Sequence, residues 1–299
     1  MAASSSRRAF LQQSISLAAL STFATTVSLA DARQRKYPMG LQLYTVRDPM
    51  SADAVGTLKK IAALGYRELE TYGYEPRERK FYGFRARDLL RVLRDLGLTS
   101  PSGHYDFAPF MHQPIEALDA YVAQCIEGAL ELDQKFITWP WLDEESRSID
   151  AFKKLAERLN RVGEQVTRAG LRFAYHNHEF EFIPHDGQRG YEIILRETDP
   201  ALIKLQLDLF WSAHSSPWSP HELFAMQPGR FVMWHIKDMD MQDRNRYTEL
   251  GKGTIDFTKI MPHAQLAGLE HYFVEQGDNF AVDPMQSIAT SAQYAKKYL

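Results

Sequence analysis

From residue 37 onward, short apolar stretches alternate with longer segments whose apolar residues recur every three or four positions. The short stretches predict strands at 40–44, 66–71, 98–103, 135–139, 171–176, 203–208, 231–236 and 270–275. The longer ones, such as "ADAVGTLKKIAALG", "RARDLLRVLRDLG" and "SIDAFKKLAERLNRVGEQVTRAG", present one apolar face at helical spacing. Four of these helices end on glycine (Gly65, Gly97, Gly170 and Gly268) with a strand directly after. Glycine stops a helix because it accepts the left-handed conformation at little steric cost. Short helix-to-strand links on one side and longer polar strand-to-helix loops on the other are what a βα repeat needs. Eight such units predict an α/β fold, a single-domain (β/α)8 TIM barrel over residues 37–299. The helices near 190–198 and 220–226 are its shortest, and no linker or low-complexity tract interrupts it.

The first 32 residues do not continue this pattern. Arg7 and Arg8 precede an apolar run, 15–30, interspersed with Ser and Thr, and "ADA" at 30–32 offers small residues for a peptidase. This predicts a twin-arginine signal peptide, a mature start near Arg33 and a periplasmic location. The run is too short and polar for a permanent span, and no later run approaches membrane length. The whole chain carries 35 Lys and Arg against 38 Asp and Glu, a net charge of −3. Losing two Arg and one Asp with the signal moves it to −4, so no basic footprint for nucleic acid exists. The single Cys125 excludes an internal disulfide, and its helical neighbours make it a structural thiol.

Polar residues gather where the predicted strands end. The ends are "LQLYTVRD", "LETYGY", "SGHYDF", "TWPWLD", "YHNHEFEF", "LDLFWSAH", "HIKDMD" and "VEQGD", whereas the beginnings are plain and Gly-capped. In a barrel, those ends form the face where catalysis takes place. Alternation puts His176 and His178 on the same side as Ala174, with Tyr175 and Asn177 opposite. Asp208, His235 and Glu275 follow from the next three strands. Taken singly, Asp208 could cap a helix, His235 could be a satisfied core histidine and Glu275 could pair with a lysine. Together they make an imidazole–carboxylate set suited to a divalent metal such as Mn, Zn, Co or Fe, with Mg also admitted. Trp139, Trp141 and Trp211 offer flat faces for a sugar ring, or else cap the barrel core. Gln42, Glu70, His104, Lys237 and Asp238 can reach substrate hydroxyls, and "GKG" at 251–253 fits an anion nest or a tight turn.

These pieces carry a resemblance. "GLQLYTVRD", "GYRELE", "SGH", "YHNHEFEF", "LDLFW", "HIKDMD", "LGKGTIDF" and "YFVEQGD" together resemble the xylose-isomerase-like TIM-barrel superfamily of sugar isomerases and epimerases, across residues 37–299. The resemblance implies a divalent metal held by Glu, Asp, His and Glu from strands five to eight, with Asp208, His235 and Glu275 in the last three places. The first place departs from the pattern: His176 stands where Glu is usual, and His178 or Glu181 are the other occupants to weigh. The resemblance further implies proton abstraction α to the carbonyl of a keto-sugar, with Glu275 as base and His176 or His178 as its acid partner. Export favours a non-phosphorylated substrate. Loss of the second glutamate brings a keto-glycoside lyase close to parity with an isomerase or epimerase. A non-catalytic periplasmic sugar-binding protein is the alternative outside enzymes, and a homo-oligomer stays open. A DNA-repair endonuclease on the same fold is disfavoured by the charge balance and the export signal.

Overall fold

A computed structural model describes residues 37–299; the twin-arginine segment lies outside the described residues. Eight parallel strands close into a barrel: β1 Met39–Gln42, β2 Glu68–Thr71, β3 Thr99–His104, β4 Phe136–Trp139, β5 Arg172–His176, β6 Ile203–Asp208, β7 Met233–Ile236 and β8 His271–Val274. Strand β1 pairs with both β2 and β8, which completes the ring. All eight predicted strands are present. The first is shorter than expected, because Leu43–Val46 turns into a 3-10 helix once the Gln42 side chain accepts from the Tyr44 N–H.

The four glycine stops hold. Gly65, Gly97, Gly170 and Gly268 have φ between 67° and 95°, the left-handed region in which a Cβ is strained. The two short helices are Gly190–Glu197 and Pro220–Met226, the latter opened by a Ser219–Glu222 capping box. The helix Leu209–Ser215, which begins directly on the end of β6, is among those the sequence did not predict.

Alternation along the strands separates two cores. Outward residues such as Leu41, Leu69, Ile137, Phe173, Leu205 and Trp234 pack with the helices in one large cluster. Inside the barrel, Phe136, Ala174, Val232, Met233 and Phe273 form a second, small one. Above this apolar plug the inward positions turn polar while remaining buried: Gln42, Glu70, Ser102, Thr138, His176, Gln206, Asp208 and His235.

Strand β3 reaches this layer through an irregularity. Its register with β2 shifts so that Glu68 faces Thr99 but Glu70 faces Ser102. The extra residue sits at Ser100–Pro101, and a bulge is where a strand tolerates a proline that has no N–H to give. The shift brings Ser102 opposite Glu70 instead of Pro101.

Closure depends on one residue without a side chain. A Cβ on Gly40 would overlap the Tyr272 carbonyl oxygen and crowd the Phe273 ring, and neither can retreat without parting β1 from β8. Gly40→Ala should therefore cost about 1–3 kcal/mol or more by overpacking. At roughly 2–4 °C per kcal/mol for a domain of this size, thermal denaturation should show a fall of several degrees. An unchanged melting temperature would show that the β1–β8 seam is looser than described.

Candidate active site

Glu70, at the end of β2, is the centre of the polar layer. One of its oxygens accepts from Ser102 Oγ at 2.6 Å and Gln206 Nε2 at 2.7 Å. The other receives Gln42 Nε2 at 2.7 Å, His235 Nε2 at 2.5 Å and His104 Nε2 at 3.0 Å. Burial would raise this carboxyl, but His104 and His235 outweigh burial and hold it well below the usual carboxylate range. Glu70 and Gln42 were expected to meet substrate hydroxyls. The structure spends them on one another and their neighbours: the Gln42 carbonyl oxygen also accepts from Tyr44 N. Gln206 and Ser102 escaped the sequence reading because each lies inside a strand, one pleat or more before its polar end.

A line of alternating charge leads away from Glu70. His235 Nδ1 lies 2.6 Å from Glu275 Oε2. Lys237 Nζ then lies 2.9 Å from that same oxygen and 2.7 Å from Asp208 Oδ2. The other Asp208 oxygen accepts from the N–H groups of Phe210 and Trp211, capping the helix Leu209–Ser215. So Asp208 is a helix cap, as its plainer reading held, and a site carboxylate as well. Burial opposes the charge on His235, yet Glu70 and Glu275 overcome it and raise the imidazolium to about 9. Glu275, despite burial, is held far below its ordinary value by Lys237 and His235. For Asp208 burial wins, and its carboxyl is raised in spite of Lys237.

The two histidines of β5 stand beside this line. His176 Nε2 is 3.8 Å from Asp208 Oδ2, and its ring centre lies 4.5 Å from that of His235 and 4.9 Å from that of His178. Burial first, then neighbouring positive groups, push both imidazoles well below their ordinary range, so both are neutral. The Nδ1 atoms of His176 and His178 are buried without a hydrogen-bond partner, as is Trp211 Nε1. Buried polar atoms are seldom left so unless something visits them. His178, His104 and Trp211 are partly exposed and open one side of the site to solvent.

Four expectations change. Trp139 points outward, where it is fully buried and stacks on Phe107 with ring centres 5.0 Å apart, so no sugar can lie on it. Asp238 accepts from the N–H groups of Met239, Gly251, Gly253 and Ile255 and anchors the following loop. Two of those N–H groups belong to "GKG", so the supposed anion nest already holds a carboxylate of the chain itself. Glu181 turns away from the mouth and accepts from Tyr175 Oη at 2.7 Å and His178 N at 2.9 Å. That leaves His176 and His178 as the β5 groups facing the site.

Among the described residues, two sets of His, Asp and Glu side chains have donor atoms within 4.8 Å of one another: His104, His176 and His235, and Asp208, His235 and Glu275. The second set, with His176 Nε2 3.8 Å from Asp208 Oδ2 beside it, fits a divalent cation by its chemistry, although Lys237 already forms ion pairs with both of its carboxylates.

Glu181 is buried with its acidity altered, and this makes stability depend on pH. Burial raises its carboxyl to about 8, with the bonds from Tyr175 and His178 opposing. The folded chain thus keeps a proton that the unfolded chain releases near pH 4.5. The corresponding stability is complete below that pH and declines as pH rises toward 8, by up to about 1.4 kcal/mol per pH unit. Glu181→Gln, whose oxygen can still accept from His178 N while its amide donates to Tyr175 Oη, should flatten this decline. Urea denaturation at pH 5.5 and 7.5 should find the variant gaining on the parent chain at the higher pH; a constant difference would show Glu181 ionised throughout.

Among known proteins, residues 58–298 match the family described as xylose isomerase-like TIM barrel. A sugar phosphate isomerase/epimerase from Parabacteroides distasonis is 27% identical with a TM-score of 0.73, over 88% of this chain and 94% of that one. An inosose dehydratase from Geobacillus thermodenitrificans is 28% identical over 161 residues, 48% of this chain and 51% of its own; the match thus spans about half of that relative. The IOLI protein, solved with a bound zinc atom, shares the fold at 15% identity and a TM-score of 0.67, over 88% of this chain and 99% of its own. With a closed eight-stranded barrel and a match over most of its length, this chain belongs to the xylose isomerase-like TIM barrel family.

Proposed function

We propose that this protein abstracts a proton α to the carbonyl of a keto-sugar, as a sugar isomerase or epimerase. The observation that carries the reading is the pairing of neutral, unpartnered imidazoles on β5 with the charged line His235–Glu275–Lys237–Asp208 at one mouth. His178 is unprotonated and partly exposed, so it can take a proton from a bound substrate. Glu275, expected as the base, is ionised but weakly basic while Lys237 and His235 hold it. It serves as the second proton-handling group when those bonds loosen. The Lys237 ammonium and the His235 imidazolium place positive charge beside the oxygen on which negative charge develops. Asp208 and Glu275, with His235 once it has given up the Nδ1 proton it shares with Glu275, are the residues that would hold a divalent ion, and a bound ion would add to the polarisation of the carbonyl. The zinc of the IOLI structure supports a metal of this kind without naming it.

The substrate is read as non-phosphorylated. Glu70, Asp208 and Glu275 outnumber Lys237 and His235, so the mouth is negative on balance. The "GKG" amides that could cradle a phosphate are bonded to Asp238. Partly exposed Trp211, beside His178 with ring centres 5.7 Å apart, is the aromatic face available to a sugar.

Elimination is the second reading. It needs one base and a leaving group, and β5 supplies imidazoles where a second carboxylate is usual in the resemblance noted above. A relative named as a dehydratase supports the same chemistry. A keto-glycoside would then lose its aglycone from the carbon β to the carbonyl. The Arg7–Arg8 signal adds periplasmic export, testable by changing both to Lys and following unprocessed precursor in the cytoplasm.

Incubation with a panel of keto-sugars and keto-glycosides in D2O tests the reaction. Deuterium should enter at the carbon α to the carbonyl, and the product, epimer or released aglycone, separates the two readings. His178→Ala should slow this exchange about 100-fold or more, the usual worth of a positioned proton-transfer group. No exchange with any member of the panel, or a variant within a few-fold of the parent, would refute the assignment and favour a sugar-binding role.

A further inference from the structure

Lys237 occupies a position that the donor set assigns to a different cation. Its Nζ is 2.7 Å from Asp208 Oδ2 and 2.9 Å from Glu275 Oε2. With His235, those two carboxylates form the triad whose donor atoms lie within 4.8 Å of one another. A divalent ion in this triad needs the same oxygens with which the ammonium already forms ion pairs. Lys237 is only 4% exposed, Asp208 is fully buried and Glu275 nearly so, so little water screens one cation from another. An ammonium and a divalent ion on a single carboxylate pair would repel strongly at this depth.

Lysine is suited to leaving. Its charge is compact and its four-carbon stem flexible, unlike the planar fork of arginine. Nζ also already lies over the Tyr247 ring, 5.8 Å from its centre, and that face would go on attracting the ammonium as it left the carboxylates. Tyr247 belongs to the short hairpin Asp238–Met239/Tyr247–Thr248 directly after β7, on the same loop as Lys237 itself.

We propose that Lys237 and a divalent metal ion are alternative occupants of the Asp208–Glu275 carboxylate pair, the ion entering only as the ammonium withdraws. The inference rests on the triad being a metal centre but not on which reaction the site performs. It makes Lys237 a positioning residue: it neutralises the carboxylates before the ion arrives and sets how tightly the ion is held.

Titration calorimetry with Mn2+, repeated with Zn2+, on the metal-stripped chain tests this. Lys237→Met keeps much of the apolar stem and removes the charge. It should bind Mn2+ roughly 10- to 100-fold more tightly than the parent chain, the scale on which one adjacent charge shifts a buried ionisation equilibrium. Lys237→Arg, whose guanidinium can span both carboxylates, should bind no more tightly than the parent. In crystals of the parent chain soaked with Mn2+, Nζ should lie beyond hydrogen-bond reach of both Asp208 and Glu275. Equal or weaker binding by a folded Lys237→Met, or no binding by either that variant or the parent, overturns the proposal. Should Lys237→Met fail to fold, the soaked parent crystal decides alone: an ion on the triad with Nζ still bonded to both carboxylates overturns it, and a displaced Nζ supports it. No turnover is measured, so failure of the keto-sugar reading would not be mistaken for failure here.

Discussion

A buried carboxylate can persist only if hydrogen bonds and opposite charge replace the water it has lost. Glu70 imposes that requirement on the barrel. Its five donors come from β1, β3, β6 and β7, two of them from β3. Satisfying one side chain therefore fixes the register of half the barrel at the level where the site begins. The bulge at Pro101 follows from the same need, since without it β3 would offer Glu70 a proline in place of the Ser102 hydroxyl. Removing Glu70 would leave His235, Gln42 and Gln206 each short of a partner in a place water does not reach, which is why the network acts as a unit.

From Glu70 outward, each charged group is held by one of opposite sign. His235 is cationic because it lies between two carboxylates; Glu275 is anionic because it lies between His235 and Lys237; Asp208 closes the line. Each bond raises or lowers a proton affinity, so none of these residues keeps the acidity it would have alone. The line is rigid at the Glu70 end, where donors surround the carboxylate. At the other end, a flexible four-carbon lysine stem bridges two buried acids. Any change in the site that chemistry requires is cheapest there.

The fold was legible because its signals are local. A glycine at a helix end, or an apolar run of five residues, predicts an element whatever surrounds it. The inward positions of β5 followed from parity alone, and His176 and His178 do share a face. The same parity applied to β4 would have turned Trp139 outward, since Thr138 and Phe136 face the interior; an aromatic residue near a strand end was too readily given to the substrate. Asp238 and Glu181 were legible as polar residues near the mouth, but not in their roles. Whether a carboxylate faces a ligand or a backbone N–H depends on how its loop folds back, and that is set by residues three and six positions earlier for Glu181 and up to 17 positions later for Asp238. Gln206 was overlooked for the opposite reason: inside an apolar-looking strand, a glutamine gives no sign that a partner awaits it on β2.

Asp208 shows why the function of this site cannot be separated from its stability. One oxygen caps the helix Leu209–Ser215 and the other faces Lys237, while its backbone N–H is held by Asn177 Oδ1 from the end of β5. Replacing it with alanine removes a helix cap, typically worth about 1 kcal/mol, and leaves a buried ammonium with one counter-ion instead of two. Asparagine retains the cap oxygen and the side-chain volume, but replaces the charged oxygen that faces Lys237 with an amide NH2. A loss of metal or activity common to both substitutions would belong to the charge, and a loss confined to alanine would belong to the helix. The chain places Trp211 on that same capped helix, next to His178. The carboxylate that balances the site's cations therefore also sets the position of the aromatic face available to a sugar.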